Sequence, residues 1–120
     1  MIRVETVDDL KLVSGKIVGD LCKEVATRYF EEVGKLANQH GLKRVLTDLR
    51  EANLKADEKD MSTLSQELTQ LGVVTSYKRA VVVRKDVKGY KHWANHCLIA
   101  GFKEMRLFVD YDAAQEWLAE

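Results

Sequence analysis

The sequence contains no proline, only two cysteines and no excess of either charge. Without proline there is no rigid Pro-rich spacer. No stretch is rich in Gly or Ser, and no internal repeat appears. Residues 1–120 are therefore expected to form a single domain, a common domain size. Cys22 and Cys97 lie far apart, each among apolar neighbours. That excludes the disulfide framework of a small secreted domain and reads as two buried thiols in a reducing compartment. Nineteen basic residues balance nineteen acidic ones. Phosphate contacts demand a basic excess, so no nucleic-acid partner is expected. No apolar run is long enough to span a membrane. Met1-Ile2-Arg3-Val4-Glu5 lacks the apolar core of a signal peptide, so a cytoplasmic location is expected.

Catalytic signatures are missing too. Neither G-x-G-x-x-G nor a Walker A loop occurs, and there is no G-x-S-x-G elbow. These absences count against nicotinamide redox chemistry, nucleotide hydrolysis and hydrolase chemistry of the familiar kinds. No cofactor and no enzymatic activity are expected.

What is present is regular. Ile2–Thr6 and Leu10–Ile17 read as short strands about a turn at Asp8-Asp9, the second shortened or bulged at Ser14-Gly15. Asp20 is a candidate helix cap. Leu21, Val25, Tyr29, Val33 and Leu36 follow at helical spacing until Gly41, with Gly34 a mild weakness inside. Residues 43–49 read as a strand. Asp57 opens a second helix striped by Met61, Leu64, Leu68 and Leu71 and closed by Gly72. Ala80-Val81-Val82-Val83 has the composition of a central strand buried on both faces. Asp86 opens a third helix, with Tyr90 and Trp93 on its apolar side and Gly101 at its end. Residues 105–109 form a last strand. Asp110 or Asp112 caps a final helix carrying Ala113, Ala114, Trp117 and Leu118. The order β-β-α-β-α-β-α-β-α predicts an α/β fold. It has a mixed, mostly parallel sheet of about five strands covered by helices, the first strand an antiparallel edge.

Ligands of open parallel sheets bind beyond the carboxyl ends of the strands. Those ends supply Asp48, Arg50 and Asn53 after one strand and Arg84 and Lys85 after the next. The cations among them suit a phosphate, a carboxylate or a docking partner. The plainer reading is a solvated network pairing them with Asp48, Glu51 and Asp86. His92 and His96 share one helix face, but an i,i+4 pair needs a third ligand, so no metal site is expected. Cys97 lies about 100° further round.

Four stretches together carry a resemblance: Ser14-Gly15-Lys16-Ile17; Lys43-Arg44-Val45-Leu46-Thr47-Asp48-Leu49; Tyr77-Lys78-Arg79-Ala80-Val81-Val82-Val83; and Arg106-Leu107-Phe108-Val109-Asp110 with Ala113 to Leu118. The chain resembles the SpoIIAA-like proteins, related to STAS domains and often described together with the Sec14-type lipid-binding fold. The resemblance implies a non-catalytic module that regulates or docks a protein partner through Asp48, Arg50, Asn53, Arg84 and Lys85. Its alternative is a carrier or sensor of a small anionic or apolar ligand or lipid, with a cavity lined by residues such as Trp93 and Phe102. Family members are often dimers, so a homodimer is an expectation. STAS domains of the antagonist type carry a phosphorylatable serine in the loop after the strand that resembles residues 43–49. Here Asp48 is followed by Leu49 and Arg50, and no serine or threonine recurs until Ser62.

Overall fold

Apolar residues alternate along Ile2–Val7 (β1), and Leu12–Ile17 (β2) returns antiparallel beside it. The hairpin turn reaches further than expected. Lys11 sits in the left-handed region at φ 53°, so Leu10 belongs to the turn and is exposed. β2 pairs in parallel with Arg44–Asp48 (β4), β4 with Lys78–Val82 (β6), and β6 with Met105–Phe108 (β7). The computed structural model, which describes residues 1–120, thus has the five-stranded mixed sheet in the order β1-β2-β4-β6-β7. A second, two-stranded parallel ribbon joins Gly19–Leu21 (β3) to Ala52–Leu54 (β5). Each of its strands has three residues, too few to leave a periodic signal in the sequence.

Four helices cover the sheet: Lys23–His40 (α1), Glu58–Glu67 (α2), Gly89–Ile99 (α3) and Tyr111–Ala119 (α4). Strand side chains alternate between faces. Val13, Ile17, Val45 and Val81 join the larger core under α1, α2 and α3. Leu12, Leu46, Ala80 and Val82 join the smaller core under α4, with Ala114 and Leu118. β6 is therefore buried on both faces, as its β-branched run requires. No helix is long and apolar enough to cross a membrane.

Helix ends show which local signals hold. Asp57 caps α2 in a reciprocal box: its carboxylate accepts from Asp60 N at 2.8 Å, and Asp60 accepts from Asp57 N at 3.0 Å. Asp110 caps α4. Gly41 ends α1 in the left-handed region at φ 64°. Asp20 is not a cap. It lies in β3, and Cys22, half-buried rather than buried, takes the N-cap position of α1 without a side-chain bond. Asp86 does not start α3 either. The helix begins at Gly89, and Asp86 faces Arg84 instead. α2 stops at Glu67, and turns carry the chain on to Gly72.

Two glycines are set by close approach. β2 is regular through Ser14-Gly15, without a bulge. A Cβ at residue 15 would stand 2.5 Å from Tyr29 Cε1 and 2.6 Å from its Cζ, so the ring of Tyr29 occupies that space. Gly34 faces the backbone of the turn after α2. A Cβ there would meet the Leu71 carbonyl oxygen and lie 2.9 Å from the Gly72 carbonyl carbon. Backbone cannot swing away as a side chain can. Helix propensity alone says that Gly34→Ala stabilises by about 1 kcal/mol. The contact predicts the opposite sign, a net loss of about 1–3 kcal/mol from overpacking. Urea unfolding of Gly34→Ala beside Lys35→Ala, an exposed neighbour on the same helix, checks this; only the first is expected to lose stability.

Candidate functional site

The carboxyl ends of β4 and β6 form the rim on which the sequence places its candidate residues. Asp48 is the last residue of β4 and is buried. A buried carboxylate must be satisfied, and Arg50 does this alone. Its backbone N–H donates to Oδ1 at 3.0 Å, its Nε to Oδ1 at 3.0 Å and its Nη2 to Oδ2 at 2.9 Å. The guanidinium also lies 5.3 Å from the ring centre of Tyr111, at the start of α4. Burial works against ionisation of Asp48, but the side-chain and backbone bonds from Arg50 outweigh it and hold the carboxyl below its ordinary range.

The other candidates are separate from this clamp. Arg84 pairs loosely with Asp86 at 3.7 Å, both of them exposed. Lys85 is exposed, as is Asn53, which lies in β5 opposite Asp20. Glu51 pairs with Lys16. The rim thus consists of one locked arginine and two accessible cations.

Beside the rim, between the sheet and α1, α2 and α3, lies a cavity of about 50 Å³. Thirteen of its sixteen lining residues are hydrophobic. Trp93 is among them, stacked on Phe30 with centroids 5.7 Å apart. Phe102 is not: it packs in the core against the guanidinium of Arg79. Three hydroxyl-bearing residues are among its lining. Tyr29 and Thr47 are both buried and share a 2.6 Å hydrogen bond. Tyr90 is 2% exposed, and its hydroxyl has no partner in the protein. Burial pushes the Tyr90 phenol up to about 12, although Arg84 nearby pulls it down. Burial likewise raises Tyr29. Both remain neutral phenols at physiological pH.

His92 and His96 do lie on one face, and both reach Oε1 of Glu58, at 3.8 and 3.5 Å. Glu58 lies in the first turn of α2. No group of three or more His, Cys, Asp or Glu side chains is placed to hold a metal ion. Cys97 is fully buried, and its thiol is pushed up by burial against the opposing effect of Arg79. Arg79 is a buried guanidinium with no carboxylate. It lies between Phe30 and Phe102, 5.4 and 5.2 Å from their ring centres, and its Nη1 is 3.8 Å from Cys97 Sγ. Sequence reasoning passed over Arg79 and the Tyr90 hydroxyl. The only available signal for Arg79 was a cation beside an apolar strand run.

Three solved structures share this chain's path. The anti-sigma factor antagonist SpoIIAA, in its unphosphorylated form, superposes with a TM-score of 0.58 at 9% identity, over 98% of this chain and 96% of the other. The fold is SpoIIAA-like. The Bacillus cell fate determinant SpoIIAA in its phosphorylated form gives a TM-score of 0.55 at 9% identity, covering 98% and 99%. An uncharacterized protein of the DUF3478 family with a SpoIIAA-like fold, from Shewanella loihica PV-4, gives 0.55 at 22% identity, covering 98% and 92%. No family model matches the sequence, and neither does any curated protein. These likenesses establish the SpoIIAA-like fold over nearly the whole chain.

The Asp48–Arg50 clamp has a pH signature. Native Asp48 ionises below the unfolded carboxylate value of about 3.9. Its contribution is therefore complete above that value and fades as pH falls through the native one. Arg50→Ala is expected to cost about 1–2 kcal/mol at neutral pH, less than a fully buried pair because Arg50 is 44% exposed. The deficit should shrink as the pH is lowered through the acid range. Urea unfolding of both proteins at neutral and acid pH checks this. A deficit that stays constant with pH would contradict it.

Proposed function

We propose that residues 1–120 form a single non-catalytic regulatory or protein-interaction module, acting in the cytoplasm and docking a protein partner at the rim beyond β4 and β6. The carrying observation is the SpoIIAA-like fold over 98% of the chain, since one protein that shares it is described as an anti-sigma factor antagonist. The loop after β4 works differently here. SpoIIAA is known in unphosphorylated and phosphorylated forms, but no Ser, Thr or Tyr occurs between Asp48 and Ser62 in this chain. From that loop the side chain of Arg50 takes up the carboxylate of Asp48 at the end of β4. In this reading the loop is a fixed recognition surface, not a phosphoswitch. Arg84 and Lys85 supply accessible positive charge, and a homodimer is compatible with the balanced surface.

A second reading has its own observation. The apolar cavity beside the rim favours a carrier or sensor of a small molecule.

Affinity capture of the tagged chain, followed by cross-linking and mass spectrometry, tests the first reading. A stoichiometric partner should cross-link near β4 and β6. Arg84→Ala with Lys85→Ala should weaken its capture about tenfold without changing the unfolding midpoint. Equal capture by the double variant would remove the rim as the docking surface. Absence of any stoichiometric partner would contradict the interaction reading.

A further inference from the structure

The two edges of the five-stranded sheet differ. β7 has four residues, and a short edge strand offers little to another chain. β1 has six, with no proline and no bulge, and β2 is its only strand neighbour. An open edge of this kind is a template for further pairing.

The backbone groups of β1 sort by side. Met1 N donates to Val18 O at 2.8 Å and Val18 N to Met1 O at 2.9 Å, so these two residues form a hydrogen-bonded pair of the antiparallel ladder. Such pairs alternate along the ladder. Arg3 and Glu5, opposite Lys16 and Ser14, therefore bond β2, and the N–H and C=O groups of Ile2, Val4 and Thr6 point away from it. Side chains sort as well. Ile2 and Val4 are half-buried against the core under α1, whereas Arg3 and Glu5 are exposed. Neither charge has an ion-pair partner in the chain, and Arg3 stands opposite the like charge of Lys16.

We infer that β1 is the interface of a homodimer, in which two copies continue one antiparallel sheet across a two-fold axis with Val4 opposite the partner's Val4. The inference rests on the homodimer of the reading above and supplies its interface. Docking at the rim does not depend on it.

One register meets both the backbone and the charge conditions. Outward-pointing groups must face outward-pointing groups, so Val4 pairs with the partner's Val4 and Ile2 with the partner's Thr6. Arg3 then lies opposite the partner's Glu5, in a pair without backbone bonds, where side chains approach most closely. The two-fold axis makes this contact twice. Opposite charges directly across a ladder stabilise it, and like charges destabilise it. A slip of two residues sets Arg3 against the partner's Arg3 one way, and Glu5 against the partner's Glu5 the other way. The strand thus complements itself, and this selects a second copy as the occupant over an unrelated strand.

The neighbouring surface permits the approach. An open groove runs beside β1, and its α1 wall carries Arg28, Glu31, Glu32 and Lys35, all exposed. The axis brings this wall towards its own copy. Two charges of each sign leave no net repulsion there.

Sedimentation equilibrium of the full chain over a range of concentrations, with amide hydrogen exchange by NMR, tests the interface. At the upper concentrations the particle should have twice the mass of the chain, and the Val4 and Thr6 amides should slow as it forms. Arg3→Glu and Glu5→Arg each turn both attractive pairs into repulsive ones and should weaken the dimer about tenfold. Both positions are exposed, so the unfolding midpoints should stay near that of the parent. The two substitutions in one chain restore opposite charges, and the double variant should associate like the parent. An equal mixture of the two single variants should do the same as a heterodimer. A monomer up to about 1 mM would overturn the inference and remove the homodimer with it. A dimer that tolerates both single reversals and leaves the Val4 and Thr6 amides in fast exchange would move the interface elsewhere and overturn this one alone. A double variant no stronger than the single ones would contradict the register. Slowing of these amides by another protein, while the chain alone stays monomeric, would overturn the second copy as occupant. If a variant does not fold, amide exchange in the parent decides.

Discussion

Tyr29 makes the closest approach of α1 to the sheet. Tyr29 lies over Gly15 of β2 and hydrogen-bonds Thr47 of β4, the residue in register with Gly15. Any larger residue at position 15 would push the ring off the sheet. Two buried hydroxyls would then lose each other, at a cost that exceeds the net worth of the bond. The same ring, with its neighbour Phe30, walls the cavity. The position of α1, the cavity's shape and the satisfaction of Thr47 therefore follow from the absence of a side chain at residue 15.

The sheet separates two kinds of polar chemistry at one rim. On the α4 side the Asp48 carboxylate is saturated by Arg50, which in turn rests on Tyr111. On the α1–α3 side the Tyr29, Thr47 and Tyr90 hydroxyls lie in an apolar setting, and that of Tyr90 has no partner in the protein. Arg84 is close enough to Tyr90 to influence its ionisation, and it is also exposed on the rim.

Much of the architecture was legible because it is repetitive. The stripes of α1 and α2 and the β-branched run of β6 each repeat one instruction over many residues, and the strand order followed from their alternation. The three-residue ribbon β3–β5 carries no such repetition. Asp20 and Asp86 have the chemistry of caps, yet the chain is still extended at one and turning at the other. Gly15 and Gly34 were read locally as weak points. They are close-approach positions, and what approaches them is set by tertiary packing that no window of sequence contains. At the site, the Asp48–Arg50 pair is two residues apart and so could be suspected. Tyr90 was placed on the apolar side of α3 by its spacing. The lack of a partner for its hydroxyl is set by tertiary packing.

A double-mutant cycle on Tyr29→Phe and Thr47→Val, read by urea unfolding, tests the seat of α1 most directly. Each single variant leaves one buried hydroxyl unpaired, whereas the double variant removes both. The account predicts strong non-additivity, with a coupling of about 1 kcal/mol and a double variant little worse than either single one. Strictly additive losses would contradict it, because the two hydroxyls would then be acting independently.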